Sequence, residues 1–425
     1  MALLAALLLP EIAPAAPVTP HSNPRWLAQG NGEPLFLCGP ADPEDFFFRG
    51  SENPDGTRNG DQQAIVDKIV GTGANSFYVI AVRSHGGDGS SSHNPWINHD
   101  EDDGLNQDIL DQWDGWLSQI DAAGIVTFFV IYDDGSEPWS TGTSVGTAER
   151  DFFRDLVNRF EHLDNLIWCI GEEYEEAYTA TRVELLAAAV DEDDDYDHPI
   201  TVSQLNGTTF HFPTDPNLSS FAMQINDTLV YNTIHGRVKS AFSNAAGQYN
   251  VNVMEIRFHY TTREETRKRC WAAAMGGGYV MVHRMFIIDT PVEAMEDCGR
   301  LVSFFQSTPF DEMEPHDELA RGDANYVFGD ADAGWIVYAE AAAGPIGLSI
   351  PPGYAGPYDL RWFDCESGVS VEQTGVPLIE GDNLASIPGG IGNEVAVSVT
   401  PSTAAVSVQS GLRWLSWGNV KSLFR

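Results

Sequence analysis

Lysine is nearly missing from this chain: four of its 425 residues, Lys68, Lys239, Lys268 and Lys421. Lysine and arginine together number 23 against 62 acidic residues, a formal net charge of −39. A surface so short of positive charge repels nucleic acid and anionic lipid, so neither is an expected partner. The acidity is spread along the whole chain, which reads as adaptation to high salt, where counterions screen self-repulsion. An ordinary acidic secreted enzyme is the other reading. Long apolar runs are lacking as well, and none reaches the roughly 18 residues of a membrane-spanning helix. Residues 1–16 are apolar and small but lack the positive start of an export signal, so 1–20 read as a trimmed signal or an apolar arm.

Cysteine is scarce and odd in number, five in all. Cys38 and Cys169 fall in predicted strands and read as buried thiols. Cys270 and Cys298 lie on consecutive predicted helices and could pair, and Cys365 stands alone. None has metal-ligand spacing, and neither metal nor cofactor is expected. A glycine-rich phosphate loop is also absent after the first predicted strand, at 35–43, which argues against a doubly wound nucleotide-binding sheet.

What is present is regular alternation. Apolar runs at 35–39, 75–82, 125–132, 165–171, 199–204, 220–225, 250–256 and 278–284 read as buried strands. Between them lie amphipathic stretches. In 106–123 Ile109, Leu110, Trp113, Trp116, Leu117 and Ile120 repeat at helical spacing, and in 148–162 Phe152, Phe153, Leu156, Val157 and Phe160 do the same. Further helices are expected at 179–190, 261–276 and 291–306, whereas 205–219 shows no helical pattern. Eight such units predict an α/β fold of the (β/α)8 TIM-barrel type over 21–308. After 308 the pattern changes to short alternating runs at 325–329, 334–340, 346–350, 358–363, 394–399 and 404–408, a predicted β-sandwich over 309–425. Residues 23–36, with Asn31-Gly32 as a tight turn, predict a hairpin capping the barrel bottom.

Two carboxylates stand out. Asn165-Leu-Ile-Trp-Cys-Ile-Gly171 leads into Glu172 and Glu173, and Tyr249-Asn-Val-Asn-Val-Met254 leads into Glu255. Charge at the end of a buried strand is costly unless it is used or paired. Two such groups on separate strands are what glycoside hydrolysis requires, one acid/base and one nucleophile or base. Strand ends face the active site in such a barrel, so the expected substrate-binding set comprises Glu172, Arg83, His85, Tyr132, Asp133, Asn206, Gln224 and His283. Asp134, Gln204, Asn226 and Arg284 adjoin them. Trp139 and Trp96, in long loops on that face, are placed to stack on sugar rings. Tyr231, Gln224 or Arg83 would orient Glu255. Glu175 and Glu176 read as solvated helix-start charges.

The strand ending in Trp168-Cys-Ile-Gly-Glu-Glu173 resembles the fourth-strand pattern of clan A retaining glycoside hydrolases. Within that clan the chain is similar to apiosidase-like barrels. The opening hairpin Asn23-Pro-Arg-Trp-Leu with Asn31-Gly-Glu-Pro-Leu-Phe-Leu carries that likeness, as does Tyr358-Asp-Leu-Arg-Trp-Phe-Asp364 near the C-terminus. The resemblance implies Glu173 as acid/base after strand 4 and Glu255 as nucleophile after strand 7, with an alternative register making Glu172 the acid. It implies a carbohydrate substrate, plant or microbial, and secretion. A carbohydrate-binding protein with a degenerate barrel and an endo-acting cellulase or mannanase are the competing readings. The chain departs from the pattern twice. Glu172 stands where relatives carry the Asn that bonds the sugar 2-hydroxyl, and Gly39-Pro-Ala-Asp42 replaces Gly-Asp-Thr followed by Trp, so apiose specificity does not carry over.

Overall fold

A computed structural model describes residues 17–41, 45–256, 261–283 and 285–402, with His283 described by its backbone alone. Eight parallel strands make the central sheet: β1 (Cys38–Ala41), β2 (Ser76–Val82), β3 (Val126–Tyr132), β4 (Leu166–Gly171), β5 (Ile200–Gln204), β6 (Leu218–Ile225), β7 (Asn250–Ile256) and β8 (Tyr279–His283). They pair in the order β1-β8-β7-β6-β5-β4-β3-β2. Ser76–Val82, Val126–Tyr132 and Asn250–Ile256 are buried at every position, because both faces of a parallel sheet are covered and alternation is lost.

The ring closes between β1 and β2. The Asn75 N–H donates to the Cys38 carbonyl at 3.1 Å, and the Asn75 side chain accepts from the Cys38 N–H at 3.0 Å. Gly39 makes the approach possible, since a Cβ there would lie 2.4 Å from the Ser76 carbonyl oxygen. The sequence therefore specifies closure with one residue that has no side chain.

Among the described residues seven helices surround the ring: α1 (Gln62–Ile69), α2 (Gln107–Ala122), α3 (Thr147–Phe160), α4 (Ala180–Asp193), α5 (Tyr231–Ala245), α6 (Arg263–Ala274) and α7 (Val292–Gln306). Caps start several of them. Asn106 accepts from the Asp108 N–H at 3.0 Å. Thr262 accepts from the Glu265 N–H at 3.2 Å, the Ser/Thr-x-x-Glu pattern that satisfies orphan donors. The β5–β6 connection carries no helix, as its composition predicts. Helices α1 and α5 lie in stretches where no helix was singled out from sequence. The inner face of α5 is Ile234, His235, Val238, Ala241, Phe242 and Ala245, an apolar stripe diluted by histidine and alanine.

The N-terminal strands Thr19–Pro20, Leu27–Ala28 and Pro34–Leu35 form an antiparallel sheet, and the Val18 N–H donates to the Asp164 carbonyl at the barrel base. Residues 1–16 lie outside the described residues, as does the expected strand at 404–408.

The C-terminal region contains β9 (Tyr326–Asp330), β10 (Gly334–Ala339), β11 (Ile346–Ile350), β12 (Gly356–Asp364), β13 (Ser370–Leu378), β14 (Gly381–Ala385) and β15 (Val395–Pro401). The larger antiparallel sheet runs β9-β10-β15-β12-β13, with Glu314–Pro315 on its edge, and β11 and β14 belong to the smaller one. β13 and β14 are mostly solvent-facing and carry too few apolar residues to announce themselves.

One face of the larger sheet joins the barrel core. Trp271 of α6 stacks on Tyr338 of β10 with ring centroids 5.1 Å apart, and His235 of α5 stacks on Tyr326 of β9 at 3.9 Å. The buried Arg267 guanidinium bonds Glu394 at 2.7 Å and Asp297 at 3.3 Å. All five cysteines are free and buried, so Cys270 and Cys298, which could pair by position, do not.

Candidate active site

The C-terminal ends of β2, β3, β4, β6 and β7 converge on a carboxylate-rich cleft. Chain direction at the end of β4 is set by Glu173 itself, which sits in the left-handed region at φ 39 and ψ 50. That conformation costs a non-glycine residue about 1–3 kcal/mol and is retained where the surroundings require it. It turns the chain from β4 into the short helical turn Tyr174–Glu176. Glu173 is half-buried.

Glu255 reaches the cleft by a different device. The β6–β7 register slips between Val253 and Glu255, leaving Glu255 paired with Gln224. A bulge of this kind re-aims a side chain at the rim of a barrel. Asn226 donates to the Glu255 carboxylate at 3.0 Å and to the Gln224 side-chain oxygen at 2.8 Å. The Gln224 amide lies near enough to Glu173 to lower its pKa. The amides of Asn226 and Gln224, at the end of β6, thus stand beside the two glutamates.

Their electrostatics differ. Burial, then the negative charge of Glu255, push the Glu173 carboxyl from its ordinary value of 4.5 up to about 7, and Asp134 and Glu176 add to the rise against the nearby Gln224 amide. Asp134 is pushed to about 7 by burial and by Asp133, Asp88 and Glu176. Carboxylate oxygens of Asp134, Glu173 and Glu176 lie within 4.8 Å of one another. Glu176 therefore belongs to the site rather than to bulk solvent, although it is exposed. Glu175 accepts the Leu205 N–H at 3.0 Å, tying the β4 and β5 loops.

Behind the pair lies a buried charged chain. Arg83 bonds Asp133 at 2.8 Å and also Asp45. Asp133 hydrogen-bonds Glu172, and burial raises its pKa against these bonds. Glu172, Arg83 and Asp133 are all buried, so a carboxylate sits where an amide would be neutral.

Asn206 lines, with Gln224, Asn226, Asp227, Gly207 and Thr208, a cavity of about 490 Å³ beside Glu255. His85 is placed at the rim, 3.1 Å from Glu101. His283's side chain and Arg284 lie outside the described residues.

Tyr132, Trp96, Gln204 and Tyr231 are reassigned. Tyr132 is fully buried and its hydroxyl donates to Glu149 at 3.0 Å, while Glu149 pairs with Arg182 at 2.8 Å. It points into the helix layer because successive strand residues alternate between the two faces of the sheet. Trp96 is fully buried and packs edge-on to Trp139 at 5.4 Å. Trp139 itself packs on Phe152 but stays partly exposed, so only Trp96 is withdrawn from stacking on a sugar. Gln204 is buried and accepts the His211 N–H at 2.8 Å, shaping its own loop. Tyr231 begins α5, beside the charges of Lys268, Arg269 and Glu265.

A carboxyl that holds its proton near neutrality, facing a second carboxylate fixed by an amide donor, can donate a proton and supply a nucleophile to one bond. A family model for apiosidase-like catalytic domains matches residues 22–282. No curated protein matches the sequence. Among solved structures, a glycoside hydrolase family 5 protein from Bacteroides vulgatus ATCC 8482 superposes with a TM-score of 0.68, at 14% identity over 91% of this chain and 94% of that one. A structure described as a glycoside hydrolase gives 0.66 at 15% identity over 91% and 97%. A family 5 mannosidase from Rhizomucor miehei gives 0.52 at 13% identity over 68% and 98%. At such identities the likeness is one of fold.

Proposed function

The chain belongs to the family of apiosidase-like catalytic domains and is a glycoside hydrolase, and from that premise we propose that it cleaves β-glycosides of plant or microbial poly- or oligosaccharides with retention. The observation that carries the reading is the unlike surroundings of the pair. Glu173 is pushed up to about 7 with Glu255 as its main charged cause, and Asn226 holds Glu255 at 3.0 Å.

Glu255, ionised, attacks the anomeric carbon, and the bond to the leaving oxygen breaks as Glu173 gives that oxygen its proton. Glu173, now a carboxylate, takes a proton from water, which displaces Glu255 and restores both groups. The amide of Asn226 stabilises the Glu255 carboxylate before attack and is free to bond sugar afterwards. Asn206 and Gln224 line the sugar-binding cavity, and Arg83 with Asp133 positions Glu172 behind it. The raised Glu173 pKa disfavours a binding-only barrel, which has no use for it. We further propose secretion into a high-salt medium, supported by the net charge of −39 and four lysines.

Proton NMR of the first product released from an aryl β-glycoside tests the mechanism. The β-anomer is expected, and initial release of the α-anomer refutes retention. Glu255→Ala is expected to abolish turnover, and wild-type rates in that variant would end the assignment of the nucleophile.

A further inference from the structure

At the opposite end of the barrel from the carboxylates, three cysteines meet. Cys38 opens β1, Cys270 lies on α6 and Cys298 on α7. They are far apart in sequence, and the fold brings their sulfurs within 4.8 Å of one another. All three are buried, at 0%, 3% and 2% exposure, and all are free thiols. We propose that Cys38, Cys270 and Cys298 form a three-sulfur site for a soft d10 monovalent ion of the Cu(I) class.

The geometry suits such an ion. A metal–thiolate bond of about 2.3 Å places three sulfurs at the corners of a triangle with sides of about 4.0 Å. Starting from separations of at most 4.8 Å, each sulfur needs to move by less than ~0.5 Å toward the centre, within reach of a χ1 adjustment. A disulfide needs about 2.05 Å and would leave the third sulfur over.

The donor set selects the ion. Thiolates favour Cu(I), zinc and iron–sulfur clusters. Zinc takes four ligands, and among the described residues no fourth histidine, cysteine or carboxylate joins the group. Asp297, the carboxylate whose charge acts on Cys270 and Cys298, is already held by Arg263, Arg267 and Arg300. Three sulfurs and no fourth donor leave a low-coordinate soft ion.

Binding releases the thiol protons to solvent, and three thiolates around one monovalent ion leave the site at a charge of −2, with the Arg269 cation near enough to act on Cys270. The site would tie β1 to α6 and α7 beside the seam where the ring closes, and it has no part in the carboxylate chemistry.

The full-length chain, expressed in copper-supplemented medium and purified without oxygen, tests this. One copper per chain is expected, with an X-ray absorption shell of three sulfurs at one distance. In competition with a chromophoric Cu(I) chelator, Cys38→Ser, Cys270→Ser and Cys298→Ser are each expected to lower affinity by more than ~100-fold, beyond what losing an outer-shell partner costs. Cys365→Ser, a buried thiol outside the group, is expected to bind as wild type. A two-sulfur shell, copper retained in a Cys38→Ser/Cys270→Ser/Cys298→Ser variant, or equal loss in Cys365→Ser would overturn the assignment. The absorption measurement needs only the wild-type chain, so a variant that fails to fold leaves the test standing.

Discussion

Glu173→Gln is expected to make the protein more stable at alkaline pH while removing its catalytic proton. In the folded state burial and Glu255 raise the carboxyl from 4.5 to about 7, so the folded chain holds that proton more tightly than the unfolded one. Stability from this group is therefore full below about pH 4.5, falls between 4.5 and 7, and stays low above that. At ~1.4 kcal/mol per pH unit the full loss is about 3 kcal/mol. Glu173 is half-buried, and solvent and salt screening reduce the figure to about 1–2 kcal/mol. Glutamine has no charge to bury, so the variant avoids the loss. Urea unfolding of both proteins at pH 4 and pH 8 measures the difference directly. The two curves are expected to coincide near pH 4 and to separate by about 1–2 kcal/mol at pH 8. A pH-independent gap, or a variant less stable than wild type at pH 8, would refute the electrostatic reasoning for the site.

Other perturbations have equally definite outcomes. Asn226→Ala removes the donor 3.0 Å from Glu255 and is expected to lower kcat by roughly 10²-fold, the scale of one lost charge-stabilising donor; steady-state kinetics on an aryl glycoside read it. Arg267→Ala leaves Glu394 buried without its cation and is expected to cost about 3–5 kcal/mol in urea unfolding. Gly39→Ala forces a methyl to 2.4 Å from the Ser76 carbonyl, so thermal stability is expected to fall, by about 1–3 kcal/mol. Raising NaCl from low to molar concentration is expected to raise Tm, because a net charge of −39 repels itself less when screened; a Tm that falls with salt would contradict salt adaptation.

The barrel strands were legible because covered parallel strands leave unbroken apolar runs, and all eight predicted runs contain the observed ones or overlap them. Helix α5 was harder, since His235, Ala241 and Ala245 interrupt the hydrophobic signal of its inner face. Glu173 and Glu255 could be picked out by position, each ending such a run. Side-chain direction was not legible. Tyr132 and Asp133 are neighbours in sequence, yet one faces Glu149 in the helix layer and the other faces Arg83 at the site. Trp96 and Trp139 lie in loops whose path depends on contacts with Phe152 that no local pattern encodes. Glu176 enters the carboxylate cluster only because Glu173 takes a left-handed turn. The three-cysteine group was invisible for the same reason: its members are spaced by tertiary structure, not by motif.

The position of β15 has a consequence for synthesis. It is the last strand described, yet it lies between β10 and β12 in the interior of the larger sheet. Glu394, which immediately precedes it, is the partner that completes the surroundings of Arg267. Until this stretch leaves the ribosome, the face of α6 that carries Trp271 and Arg267 has only part of its cover, although every barrel strand has already emerged. A chain halted before residue 394 thus holds Glu173 and Glu255 on an incompletely sealed scaffold. Long-range pairing that closes last is slow and exposes apolar surface in the interval, so the yield of active protein hinges on the arrival of seven residues remote from the chemistry.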